Sequence, residues 1–537
     1  MLRKCDDYAT WSSEVSGVYM AYSSITEERT SVRAHFKAKE KERDIMACTT
    51  ILVGKNASYD GSTIVARNED SPSGIFCAKR FAVMKAKDQP RKYKAVISKV
   101  EIDLPDDPMD YTYSPSSDTS EGIWGAYGVN AANVTMNATE TLTTNELVMG
   151  ADPLVEYHKD KDGTEHFGGI GEEDLVTITL PYIKSAKDGV RRLGALLEKY
   201  GTYEMNGIAF QDENEIWWLE TIGGHNWMAK RVPDNAYVIM PNQLGIDEFD
   251  FDDAYGAEEN YMCSKSLKDL VKKAHLDKRM SEEEVFNPRD AFGSHDDSDH
   301  TYNTPRAWVL LRYFNPKTYF WDGMDADLRP TDDDLPWAMV PEKKITIEEV
   351  KWALSNHYQG TPYDCYAKHK DEMKAGIFRP IGINRNNVLG LTQVRGYMPD
   401  DLKALHWLAL GSNVFNAIVP FYTKVSKTPD YVGKAVTKPS TDNFYWINRI
   451  IGALADAHFA ENASNVERYQ IKINNKMNEL INKFDEEYAN AKDKEAFFEK
   501  ANQEISDFVE KETLDYLDKV LYTSSTLMKN GFSRSDA

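Results

Sequence analysis

Cys48 and the run Ala66-Arg67-Asn68-Glu69-Asp70 carry the residue types from which a nucleophilic site can be built. A thiol attacks as its thiolate. If the peptide bond before Cys48 is cut, that one residue carries both a thiol and its own α-amine. The reference pKa of an α-amine is about 7.7–8.0, against about 8.5 for a thiol. An amine that titrates near neutrality can serve as the base for the nucleophile beside it, as a terminal amine does for threonine. Arg67 would then favour the thiolate and Asp70 would hold the amine.

Two strands and a turn must bring these groups together. Ile51 and Val53 alternate along the first strand. In the second, Ile64 and Ala66 fall on one side, and Thr63, Val65 and Arg67 on the other. Asn56-Ala57-Ser58-Tyr59-Asp60-Gly61 between them is rich in turn formers. Such a hairpin returns Arg67 and Asp70 towards the strand start that carries Cys48.

Cys-Thr-Thr-Ile-Leu-Val-Gly-Lys from Cys48, Asp60-Gly61-Ser62-Thr63 and Ala66-Arg67-Asn68-Glu69-Asp70 together resemble the N-terminal-nucleophile (Ntn) hydrolases of the choloylglycine hydrolase and penicillin V acylase superfamily. They are most similar to its dipeptidase branch, peptidase family C69. The likeness continues through residues 169–207, 215–233, Met240-Pro241-Asn242-Gln243, Asn303-Thr304-Pro305-Arg306 and 380–399. It implies an α+β fold, the four-layer αββα sandwich. It also implies a dipeptidase that needs no cofactor or metal, with Cys48 exposed by autocatalytic removal of a leader. Asn137, in Val134-Thr135-Met136-Asn137, is implied as an oxyanion donor, and Asn242 as a second catalytic asparagine at a strand end. Within the superfamily the alternative is an amidase of the choloylglycine hydrolase or penicillin V acylase kind. Outside enzymes, it is an unprocessed binding protein that keeps the fold.

The rest of the chain supports this frame without naming a substrate. Its 537 residues are 41% hydrophobic, enough for a large core. A formal net charge of -22 argues against nucleic acid and against an anionic membrane surface. Five scattered cysteines without CxxC spacing read as neither a disulfide framework nor a zinc site, which suits a reducing cytoplasm. No segment approaches the ~20 apolar residues of a membrane span.

Residues 1–47 stand apart, with the charge run Lys37-Ala38-Lys39-Glu40-Lys41-Glu42-Arg43-Asp44. They read as a leader, a propeptide, or sequence upstream of a true start at Met46. Residues 48–460 are expected to form the catalytic domain and 461–537 a helical extension. In that extension Ile473, Met477, Leu480, Ile481 and Phe484 make a stripe that packs on the body or on a second subunit.

Several other residues invite chemistry. Gly168-Gly169-Ile170-Gly171 looks like a phosphate loop, but Glu172, Glu173 and Asp174 would repel phosphate; they suit a helix start. Glu173 could meet a dipeptide's ammonium, and Arg306 its carboxylate, since guanidinium pairs well with carboxylate. Capping and a structural ion pair are the competing readings. His225 as a papain-like base is disfavoured, because no papain-type signature surrounds any cysteine. Asp250, Asp252 and Asp253, and likewise His295, Asp297 and His300, carry ligand types but lack EF-hand or HExxH spacing, so both runs read as solvated loops.

Overall fold

The computed structural model describes residues 48–529, apart from positions 73, 282, 370 and 435. The expected leader lies outside the described residues. Two large antiparallel sheets, whose strands are numbered below, two small two-stranded ribbons (Lys92–Lys94 with Glu101–Asp103, and His158–Lys159 with Glu165–His166) and a set of helices make up the described residues. The strands are β1 (Thr49–Val53), β2 (Thr63–Asp70), β3 (Ala82–Met84), β4 (Tyr111–Tyr113), β5 (Tyr127–Asn130), β6 (Thr135–Thr141), β7 (Asn206–Gln211), β8 (Ile216–Thr221), β9 (Trp227–Arg231), β10 (Tyr237–Met240), β11 (Tyr261–Cys263), β12 (Ala338–Met339), β13 (Asn386–Val394), β14 (Ala404–Leu410) and β15 (Val419–Tyr422). The main helices are α1 (Glu172–Thr179), α2 (Ala186–Tyr200), α3 (Thr304–Phe314), α4 (Ile347–Ala353), α5 (Phe444–Ala455), α6 (Phe459–Glu487) and α7 (Lys494–Thr526).

The first sheet runs β12-β10-β1-β2-β13-β14-β15, and the second β11-β9-β8-β7-β6-β5-β4-β3. β1 lies between β10 and β2, with Thr50 opposite both Met240 and Arg67. Alternation along β1 and β2 assigns their two faces. Ile51, Val53, Ile64 and Ala66 join a core with α3, α4 and the C-terminal helices. Leu52 and Val65 join a different core with Ala209 and Trp218 of the second sheet. The far side of that sheet, including Met136, Ala138, Ile208 and Phe210, packs on α1 and α2. Fully burying one such aliphatic side chain contributes about 1.5–3 kcal/mol.

Polar clamps also join the sheets. Gln211 accepts from Thr135 Oγ1 at 2.8 Å and from Thr392 Oγ1 at 2.7 Å, and donates to Thr63 Oγ1 at 3.0 Å. The Tyr127 hydroxyl donates to the Trp407 carbonyl at 2.8 Å. Gly390 of β13, the strand partner of Arg67, lies against the Tyr127 ring: a Cβ there would come within 2.1 Å of a ring carbon.

α6 and α7 carry the apolar stripe read from the tail. Ile473, Met477, Leu480 and Phe484 sit in the same core as β13 to β15. At the outer strand β15, the Asn502 side chain of α7 donates to the Tyr422 carbonyl at 3.0 Å and accepts from the Tyr422 amide at 2.9 Å. Among the described residues no helix is long and apolar enough to cross a membrane.

Candidate active site

Cys48 stands immediately before β1 and is fully buried. The register that sets Thr50 opposite Arg67 makes Arg67 the diagonal neighbour of Cys48 on one face. Arg67 Nη2 donates to Cys48 Sγ at 2.9 Å and to Glu172 Oε1 at 2.8 Å. Its Nη1 donates to the Ala138 carbonyl of β6 at 2.5 Å and lies 3.7 Å from Glu69, which is itself paired with Lys79 at 2.6 Å. All of these side chains are buried. A guanidinium held this tightly presents a fixed positive charge to sulfur in a site of low dielectric.

The register on the other flank brings in Asn242. Met240 pairs with Thr50, so two residues further on Asn242 comes level with Cys48. Its Oδ1 accepts from the Cys48 main-chain nitrogen at 3.0 Å, and its Nδ2 donates to the Thr141 carbonyl at 3.0 Å. Arg306, in the first turn of α3, closes this corner. It donates to the Cys48 carbonyl, to Thr49 Oγ1 at 2.8 Å, to Asn242 Oδ1 at 2.8 Å and to Asn303 Oδ1 at 2.6 Å. Asn303 in turn donates to the Asn242 carbonyl at 3.1 Å.

Asn137 lies on β6 between Met136 and Ala138, which face the α1 and α2 core. Alternation therefore turns Asn137 towards the first sheet, as Thr135 is turned. Its side chain is buried, and neither amide atom has a hydrogen-bond partner among the described residues. A buried carboxamide with no partner is costly and unusual. Its strand neighbour Ala138 is the residue that Arg67 grips.

Asp70 ends β2. It pairs with Arg379 and accepts from Asn386 Nδ2 at 2.9 Å. The Arg379 guanidinium is buried and close enough to Cys48 to feel its charge. At the start of α1, Glu172 reaches Arg67 while the next residue, Glu173, turns away and accepts from Tyr203 OH at 2.7 Å. Burial and the neighbouring Asp174 push the Glu173 carboxyl up to about 8; Glu204, which accepts from the Glu172 amide at 2.5 Å, is likewise raised to about 8, burial being the largest cause. Gly122 covers Glu173 at positive φ, where a Cβ would come within 2.6 Å of the glutamate side chain.

Cys48, Arg67, Asn242 and Arg306 thus meet directly, while Asp70 and Asn137 join through Arg379 and Ala138. Reading by motif gave Glu172 only the part of a helix-start acid and assigned no role to Asn303, Arg379 or Asn386. Asn303 had a signal, since it stands three residues before Arg306 in Asn303-Thr304-Pro305-Arg306. The acidic run at Asp250 caps a short helix, accepting from the amides of Asp252 and Asp253, and His300 pairs with Asp333 at 3.0 Å. Two other trios come close enough to share an ion among the described residues: His158, Asp160 and His166, and His357, Asp364 and Cys365.

Comparison with known proteins places this arrangement. The sequence profile of peptidase family C69 matches residues 47–472. A protein of Bifidobacterium longum named "Dipeptidase" is 54% identical over 532 residues, covering 91% of this chain and 100% of that protein. A "Probable dipeptidase A" of Streptococcus pyogenes is 48% identical over 497 residues, 93% of this chain and 100% of that one. "Dipeptidase A" of Lactobacillus helveticus is 43% identical over 486 residues, 90% of this chain and 97% of that one. The match begins at the residue before Cys48 and contains every side chain of this site, so the chain belongs to peptidase family C69.

Proposed function

We propose that this protein is a cysteine-type dipeptidase of the Ntn class. One observation carries the reading: the sulfur and the main-chain nitrogen of a single residue, Cys48, are each met by a buried partner, Arg67 at 2.9 Å and Asn242 at 3.0 Å. Cleavage before Cys48 makes that nitrogen an amine. The amine takes the thiol proton while Sγ attacks the scissile carbonyl carbon. The Asn137 amide donates to the oxyanion that forms. The amine then passes its proton to the leaving amino group, the peptide C–N bond breaks, and a thioester remains. Water adds to the thioester, its proton goes to the same amine, and the first amino acid leaves as a carboxylate with the thiol restored.

Arg67 holds the thiolate, and Asn242 orients the amine. Asp70, bridged by Arg379, fixes the charge around the Cys48 terminus. Arg306 is committed to the Cys48 carbonyl, Asn242 and Asn303, which suits a positioning residue better than a partner for substrate carboxylate. Glu173 is 1% exposed and bound to Tyr203, so an ammonium site there would require it to turn.

The fold reading goes with the chemistry. Two facing sheets with helices on both outer faces support the αββα sandwich of Ntn hydrolases.

Intact mass and N-terminal sequencing of active protein test the proposal together with Cys48→Ala and Cys48→Ser. We expect Cys48 as the first residue, hydrolysis of dipeptides in preference to N-acylated amino acids, and loss of turnover in both variants. Wild-type turnover in either variant, or full activity with the chain before Cys48 intact, would overturn it.

A further inference from the structure

Away from Cys48, a cavity of about 530 Å³ opens between α4, the loop after it and the first half of α6. Small-molecule sites commonly occupy ~300–1,000 Å³. The lining contains none of the residues assigned to the catalytic site.

Lys351, one of the lining residues, is 6% exposed. Its ammonium donates to Ser355 Oγ at 2.7 Å and to the Asn413 carbonyl at 2.6 Å. An ammonium carries three N–H groups, so one remains. No carboxylate pairs with this amine among the described residues, and burial alone pushes it down to about 7. The last turn of α4 helps to hold a cation there, but leaves that third N–H unused. A carboxylate reaching this amine would supply the partner that its third N–H can take and would favour its charged form.

The rest of the lining is mixed, and its third carboxylate, Asp364, is taken up by His357 at 2.7 Å. Glu348 and Glu467 supply carboxylates, the second exposed. Trp352 and Ile471 are large apolar side chains left 37% and 59% exposed. A buried cation, nearby carboxylates and open apolar flanks correspond to the three parts of one kind of molecule. We propose that this cavity binds a free α-amino acid with an apolar side chain. Its carboxylate takes the third N–H of Lys351, its ammonium faces Glu348 and Glu467, and its side chain packs against Trp352 and Ile471. The assignment does not depend on the chemistry at Cys48.

Equilibrium dialysis of labelled leucine against the full-length Cys48→Ala protein tests this. We expect saturable binding with Kd of about 0.1–1 mM, and leucinamide, which lacks the carboxylate, to compete ~10-fold less well. Lys351→Met and Ile471→Asp should each weaken leucine binding ~10-fold or more, while dipeptide turnover by the same variants carrying Cys48 stays within ~2-fold. Ile471 is exposed, so its variant decides the matter if Lys351→Met fails to fold. Absence of saturable binding, or binding that Ile471→Asp leaves unchanged, would overturn the proposal, because leucine held at the catalytic site is blind to that substitution.

Discussion

Arg67 Nη2 lies 2.9 Å from Cys48 Sγ and 2.8 Å from a Glu172 oxygen, so one nitrogen links the nucleophile to a buried carboxylate. Removing the cation should disfavour the thiolate. In Arg67→Gln the acidic limb of the kcat/KM pH profile should move up by ~1–3 units. Each unit costs about tenfold at pH values below the limb. Iodoacetamide alkylation of Cys48 should slow in step. The same substitution breaks the buried pair with Glu172, which typically destabilises by about 3–5 kcal/mol, so a lower Tm should accompany the shift.

Asn137 offers a cleaner separation of chemistry from stability. Its amide is buried with no partner among the described residues, so Asn137→Ala removes none of the hydrogen bonds seen there. Loss of an oxyanion donor should lower kcat by ~10²–10³-fold with KM little changed. A fall in Tm with kcat preserved would assign the side chain to packing instead.

Gly390 tests how the sheets set the site. A methyl group there meets the Tyr127 ring, and Gly390 is the strand partner of Arg67. Gly390→Ala should cost about 1–3 kcal/mol through overpacking. Because Tyr127→Ala removes the ring that the methyl group meets, the double variant should lose less Tm than the sum of the two single variants.

The carboxyls at the start of α1 give the protein a stability profile that slopes down between about pH 4.5 and pH 8. Glu173 rises from 4.5 to about 8 in the folded chain, burial being the largest cause. Between those values the folded state holds a proton that the unfolded state has lost. Its contribution is therefore complete below pH 4.5 and is lost as pH climbs through 8. Glu204 acts in the same direction. Tm should fall from about pH 5 to about pH 9, and Glu173→Gln should flatten the slope.

His406 supplies the opposite limb. Burial among Phe81 and Tyr127 holds its ring neutral, down to about 3 from an ordinary 6.5. The unfolded chain takes up a proton first as pH drops below 6.5, so this contribution fades between 6.5 and 3. His406→Gln should reduce the acid sensitivity of Tm in that window.

Much of the site can be read from residue order because it is local to two strands. The alternation of Ile64, Val65, Ala66 and Arg67 puts Arg67 on the face that looks towards the second sheet, and the hairpin returns it to Cys48. Asn242 follows from the end of an apolar strand. The rest depends on distant pairings that periodicity does not encode. β2 lies beside β13, so the partners of Asp70 come from Arg379 and Asn386, more than 300 residues away. Glu172 and Glu173 are both plausible helix-start acids. Which one reaches Arg67 depends on a rotation of ~100° about the helix axis, set by how α1 docks. Arg306 was visible as a cation, but its commitment to the Cys48 carbonyl required α3 to be placed.

The side chain of Asn502 has a consequence for solubility. By answering both the amide and the carbonyl of Tyr422, it imitates one rung of a neighbouring strand at the open margin of the first sheet. An exposed margin is a template on which other chains can polymerise. The last long helix thus works as an insulator, and a protein trimmed before it would keep its catalytic groups yet be prone to assemble into insoluble ribbons.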